Sequence, residues 1–178
     1  YALHLIVLIG FSVAHAGSYD DFFSAIERDL SGEVANLVGQ GFDPNTLNAK
    51  GTHPLILAVR AGSLKVVDVL LADPKTDINV LTEQGESALM LAALAGYTDV
   101  CQKLIDMGAD INKPGWTALH YAATGGSAPI VKILLEHHAY IDTESPNGST
   151  PLMMAAKYGT ADAVRALLDG GADPMIKN

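Results

Sequence analysis

The sequence predicts a mainly α-helical solenoid, in which short antiparallel helix pairs stack and are joined by projecting, β-hairpin-like finger loops. Three observations lead there. Gly51, Gly85, Gly115 and Gly148 each open a similar string: GTHPLILAV, GESALMLAA, GWTALHYAA and GSTPLMMAA. Eleven residues after each comes another glycine, Gly62, Gly96, Gly126 and Gly159, at spacings of 34, 30 and 33 residues. The stretches that follow carry apolar residues at i, i+3, i+4 and i+7, the spacing of one helix face. A self-similar period of about 20–50 residues marks an architecture whose units cannot bury their apolar faces alone and gain a core by stacking.

Composition fits that class and excludes others. The chain has 178 residues, 49% of them hydrophobic, with one Cys. That apolar supply argues against disorder, and a lone cysteine against a disulfide-built scaffold. The formal charge is −9, from 20 Asp and Glu against 11 Lys and Arg. Phosphate backbones and anionic lipid surfaces are held by clustered Lys and Arg, so neither nucleic acid nor a membrane is the expected partner.

Residues 1–16 read YALHLIVLIGFSVAHA, with 12 of 16 apolar and no charge. The run is too short to cross a hydrocarbon core of about 30 Å as a helix. It has the length of a signal-peptide h-region, and Ala14-His15-Ala16 places small residues where a signal peptidase reads them, so cleavage after Ala16 is expected. The basic n-region is then expected upstream of Tyr1, and the mature chain is expected in the periplasm or secreted, without membrane insertion. An apolar helix packed on the first repeat is the alternative.

Residues 17–46 hold the second half of a repeat and predict an N-terminal cap, with Phe22, Phe23, Ile26, Val34, Leu37 and Val38 facing the first full repeat. Full units follow at 47–80, 81–112, 113–142 and 143–174, and residues 175–178 lead toward a further repeat, so at least one more is expected in the gene product. In each unit a first helix of small and aliphatic residues, as at 54–60 and 88–95, suits close packing. A second, amphipathic helix follows, as at 64–71, 128–135 and 161–168. The glycine before each "AD" (Gly108, Gly171) sits where a helix ends in a left-handed conformation, which costs glycine no Cβ clash. His138 takes that place in the third unit, which predicts a strained helix end there.

Over residues 19–178 these strings resemble the ankyrin repeat, whose T-P-L-H-x-A motif and period of about 33 residues they follow. Thr150-Pro151-Leu152 keeps the start of the motif, and Thr117-Ala118-Leu119-His120 keeps its Thr, Leu and His. Elsewhere His53 replaces Thr, Ala88 and Ala118 replace Pro, and Ile56, Met90 and Met153 replace His. The resemblance implies a structural hydrogen bond for His120. It also implies a non-catalytic, monomeric scaffold that binds another protein through a concave face of finger loops and inner helices. In style the chain is similar to bacterial exported ankyrin proteins. The alternative is an ankyrin segment of a larger enzyme or secreted effector whose active domain lies outside this chain.

One finger is irregular. From the Asn or Asp that closes a unit to the next opening Gly the counts are six, six, three and six, so the third finger is three residues short. Such a row should contain a notch, with Trp116, the only Trp, at its edge. The turn at 73–77 carries one extra residue, which reshapes the loop behind the outer helix.

Catalytic chemistry finds little support. Cys101 aligns with Val67 on a buried helix side and reads as a core residue. His137 and His138 point about 100° apart on a helix and lack an i,i+4 His partner, so they read as a helix end rather than a metal handle. The Asp-Ile-Asn strings at 77–79 and 110–112 lack the alternating acids of a calcium loop. Asn147-Gly148-Ser149 fits a glycosylation acceptor and equally a hairpin turn. No phosphate loop, nucleophile elbow or HExxH occurs, so no catalytic, cofactor or metal residue is assigned. The positions that vary between repeats on the partner-facing side are Lys50, Thr52 and Arg60 in the first unit. In the second they are Glu83, Gln84, Glu86 and Leu94, and in the third Lys113, Trp116 and Thr124. Ser149, Lys157 and Tyr158 complete the set in the fourth unit. Four cations against two carboxylates among them predict a mildly basic surface with an aromatic anchor at Trp116 and Tyr158.

Overall fold

A computed structural model describes residues 17–178; the leader predicted at 1–16 lies outside them. The chain divides into two compact units, one ending at Asp77 and one spanning Ile78 to Asn178.

The first unit contains helices α1 (residues 17–27), α2 (Ser31–Gly39), α3 (Pro54–Ala61) and α4 (Leu64–Ala72). Its cap is built as the apolar pattern requires. Phe22, Phe23, Ile26 and Val34 are buried, Leu37 and Val38 are half-buried, and the Phe22 ring lies 4.3 Å from that of Phe42. The Tyr19 hydroxyl donates to the Leu47 carbonyl at 3.1 Å and ties the cap to the first finger. At the start of α4, Ser63 makes no side-chain cap. Asp29 supplies one from a distance, accepting the Val66 N–H at 3.0 Å from a left-handed backbone with φ 55°. The extra residue at 73–77 replaces the usual glycine ending of the outer helix. Asp73 continues extended with its N–H on the Leu70 carbonyl at 3.2 Å, and the Thr76 hydroxyl donates to that same carbonyl at 2.6 Å.

The second unit contains α5 (Ala88–Ala95), α6 (Thr98–Asp106), α7 (Ala118–Gly125), α8 (Ala128–Glu136), α9 (Pro151–Tyr158) and α10 (Ala161–Asp169). Helices α5, α7 and α9 pack side by side as an inner row, α6, α8 and α10 as an outer row, and each inner helix packs on the outer helix after it. In α5, Ala88 to Ala93 are all buried, as expected of a helix apolar all round. Small residues let the inner row close up. A Cβ on Gly125 would lie 2.5 Å from the Leu94 carbonyl oxygen, and one on Gly159 would strike the Ala123 carbonyl.

Gly96 and Gly126 end the first two inner helices of this unit in the left-handed region, whereas Gly159 ends α9 with φ −87° and ψ −148°. Behind the outer helices Gly108 and Gly171 also have positive φ, at 87° and 96°. His138 adopts φ 64° in the corresponding place, the strained end predicted for the third unit.

The Asn or Asp closing each repeat clasps the next. In the first unit Asn45 Oδ1 accepts the Asp77 N–H at 2.8 Å. In the second, Asn79 accepts from Asp110 at 2.9 Å, Asn112 from Tyr140 at 2.9 Å and Asp142 from Asp173 at 3.0 Å. This rail explains the Asp-Ile-Asn strings without calcium.

Candidate protein-interaction surface

The finger loops are closed by short main-chain ladders. Asn48 N–H donates to the Thr52 carbonyl at 3.0 Å, Thr82 to Glu86 at 2.9 Å and Ser145 to Ser149 at 2.9 Å. Leu81 and Ser87 form an antiparallel bridge, so the hairpin-like fingers are real but minimal. The short third finger is held differently. The Lys113 ammonium folds back and donates to the carbonyls of Trp116 at 3.2 Å and Pro114 at 3.3 Å. Gly115, at φ 87°, would bring a Cβ to 3.7 Å from Pro146 of the next finger.

Two histidines fix fingers to inner helices. His53 caps α3, with Nδ1 accepting the Leu55 N–H at 3.1 Å and Nε2 donating to Asn45 Oδ1 at 3.1 Å. His120 does the same work from inside α7. Its Nδ1 pairs with Thr117 Oγ1 at 2.9 Å, while Nε2 donates to the Ser149 carbonyl of the next finger at 2.9 Å. Only acceptors face each Nε2, so the neutral ring protonated there satisfies both sites. Burial pushes both pKa values below the usual histidine value, against smaller opposing pulls from Asp77 and Asp43 on His53 and from hydrogen bonds to the main chain at Ser149 and Thr143 on His120. The structural bond expected of His120 is present.

The residues singled out from sequence divide by environment. In the first unit Lys50 and Arg60 are exposed and Thr52 is half-buried in its finger ladder. In the second unit Glu83 and Gln84 are exposed at a finger tip, and Leu94 is 42% exposed at the end of α5. Lys157 and Tyr158 are exposed at the end of α9, with the Lys157 Nζ 4.9 Å from the Tyr158 ring centre. Hydrogen bonding to Tyr158, with that side chain's charge, raises the Lys157 pKa.

Four others do not present themselves as the sequence suggested. Ser149 is only 7% exposed and its main chain is spent on the Ser145 ladder and His120. The Thr124 hydroxyl donates to the His120 carbonyl at 2.8 Å. Lys113 is half-buried against its own finger. Glu86 is half-buried, with Oε1 accepting from the Tyr121 hydroxyl of the next repeat at 3.0 Å. Thr124 and Lys113 satisfy nearby main-chain carbonyls, while Glu86 and the Ser149 main chain accept from side chains of a neighbouring repeat, which repeat alignment does not reveal. Cys101 is fully buried, and burial pushes its thiol up to about 12. That suits a core residue rather than a nucleophile.

What the fold brings together is a pocket of about 460 Å³ beside the short finger. Trp116 from the third repeat and Met153, Met154, Lys157 and Tyr158 from α9 line it, together with the polar Asn147, Ser149 and Asn178. Trp116 is half-buried and meets the His120 ring edge-on at 5.2 Å. Both methionines were absent from the sequence-derived set. They sit one turn before Lys157 and Tyr158, the i to i+4 offset that places residues on one helix face.

Fold and surface together define a repeat solenoid of the protein-interaction kind. The chain matches the family model described as "Ankyrin repeats (3 copies)" over residues 22–114 and 112–178, and it belongs to the ankyrin repeat family. It is 31% identical over 166 residues to human transient receptor potential cation channel subfamily A member 1, which covers 86% of this chain and 15% of the relative. To the chicken nuclear factor NF-kappa-B p105 subunit it is 33% identical over 152 residues, 82% of this chain and 16% of the relative. To the mouse B-cell lymphoma 3 protein homolog it is 30% identical over 161 residues, 86% of this chain and 36% of the relative. The chain thus spans a minor part of each relative's length. Ankyrin repeats mediate protein–protein interaction, and no helix among the described residues is long and apolar enough to cross a membrane.

Proposed function

We propose that this chain is a non-catalytic, monomeric scaffold that binds another protein through its finger loops and the exposed ends of its inner helices. The observation that carries this reading is the pairing of Trp116 and Tyr158 at one open pocket, with Lys157 beside them, since Trp and Tyr are among the residues that most often anchor interfaces. Exposed Lys50 adds a charged contact in the first unit, and exposed Leu94 an apolar one in the second.

Export is part of the proposal and rests on residues 1–16 alone, with the periplasm or the medium as destination; the relatives named above are animal proteins and lend it no support. Expression of the full reading frame in a Gram-negative host, followed by N-terminal sequencing of the periplasmic product, should return Gly17 as first residue. A cytosolic product that retains Tyr1 would overturn export. Partner binding is tested by affinity purification of the tagged chain and of a Trp116→Ala, Lys157→Glu double variant. The double variant should lose the wild-type partners; an unchanged partner set would sink the assignment of this surface. Light scattering should give the mass of one copy of the expressed chain, and twice that mass would overturn the monomer.

A further inference from the structure

Within the scaffold reading, on which this inference rests, we propose that the pocket beside the third finger receives one large apolar side chain from an extended protein segment, while an acidic residue next to it pairs with Lys157. Three observations point to this occupant. The first is the wall chemistry. The Trp116 indole, the half-buried Met153 and Met154 thioethers and the exposed Tyr158 ring give the pocket an apolar side, opposite the polar Asn147, Ser149 and Asn178 that share its lining, and methionine adapts its shape to varied apolar partners. The second is size. A volume of about 460 Å³ lies within the range of about 300–1,000 Å³ for small-ligand sites, which fits one or two side chains and not a folded element.

The third is charge. Among the side chains that line the pocket, Lys157 is the charged one and none is Asp or Glu, although the chain as a whole carries −9. Lys113, the other cation nearby, is turned onto the carbonyls of its own finger. Lys157 is held over the Tyr158 ring at the pocket edge, so a carboxylate that reaches the ammonium sits beside the apolar socket. The short third finger leaves the opening; a finger of the ordinary length adds three residues beside Trp116.

The chain provides its own reporter, because Trp116 is the only tryptophan. The test titrates the full chain with the acetylated, amidated peptide Gly-Asp-Phe-Asp-Gly and follows Trp116 emission. A saturable change is expected with Kd below about 1 mM. Gly-Lys-Phe-Lys-Gly and Gly-Asp-Ser-Asp-Gly should each bind at least tenfold more weakly. Lys157→Gln should weaken the Asp peptide about two- to fivefold, the scale of a solvent-exposed ion pair, and leave Gly-Ser-Phe-Ser-Gly unchanged. Met153→Ala with Tyr158→Ala should weaken every Phe peptide, with circular dichroism confirming an unchanged helix content.

Absence of any saturable change at millimolar peptide overturns the pocket, and equal affinity for the Asp and Lys peptides overturns its acidic preference. These failures are distinct from failure of the scaffold itself. If the peptide does not bind but the wild-type chain still captures a protein that the Trp116→Ala, Lys157→Glu variant releases, the surface stands and the pocket falls. If the peptide binds but no protein is captured, the scaffold falls.

Discussion

His138 holds φ 64° with a Cβ and an imidazole attached, in a place where Gly108 and Gly171 serve the neighbouring repeats. The left-handed conformation costs a residue with a Cβ about 1–2 kcal/mol. Glycine removes that cost but adds freedom to the unfolded chain, which returns roughly half of the gain. His138→Gly is therefore expected to stabilise the protein by about 0.5–1 kcal/mol, read as a higher urea midpoint with unchanged slope. The bond from Asn112 Nδ2 to the residue 138 carbonyl, at 2.9 Å, uses main chain and survives the change.

At the same scale, His53 and His120 set a pH dependence. Their folded pKa values lie below the ordinary 6.5, so the unfolded chain binds the proton more readily than the folded one. Their contribution to stability is present above about pH 6.5 and is lost as pH falls from there toward the folded values. Urea midpoints between about pH 7.5 and about pH 5.5 should fall for the wild type and fall less for His120→Gln, even though that variant starts less stable. Equal slopes would show that His120 does not titrate on unfolding.

At the scale of elements, the inner row is set by how closely its helices approach. A Cβ on Gly125 meets the Leu94 carbonyl oxygen at 2.5 Å, and a carbonyl of a neighbouring helix has nowhere to retreat. Gly125→Ala, a favourable change by helix propensity, is expected instead to cost about 1–3 kcal/mol through overpacking. The opposite holds in α2, where a Cβ on Gly32 meets nothing within 4 Å. Gly32→Ala should stabilise by about 0.4–1 kcal/mol. Thermal unfolding of the pair of variants gives shifts of opposite sign if close packing, and not propensity, decides the inner row.

For the whole molecule, the deciding quantity is charge. A chain at −9, whose exposed cations, Lys50, Arg60 and Lys157 among them, are scattered along a sequence richer in acidic residues, cannot release the counterions that drive binding to a phosphate backbone. No retardation of a DNA duplex of about 30 base pairs is expected in a gel shift at about 0.15 M salt. Retardation there would require a basic surface that the described residues do not show.

The period, the amphipathic outer helices and the glycine stops are local, written in residues three, four or about a dozen apart. Hence residues 88–95, expected to be helical, are helix α5 to the residue, and His138 reads as strained from its position alone. The surface was legible only in part. Trp116, Lys157 and Tyr158, picked out as repeat-variable positions, line one pocket, but Met153 and Met154 were not among those positions because they sit where the family motif and the core pattern claim them. Ser149, Lys113 and Glu86 looked like partner-facing residues, and the fold instead gave them partners within the molecule. By itself the sequence determined the repeat, its helices and the sign of the charge, because each follows from spacing along the chain. Tertiary structure decided whether Ser149 and Glu86 remain for a partner, because the His120 ring N–H and the Tyr121 hydroxyl, about 30 residues away along the chain, reach them first.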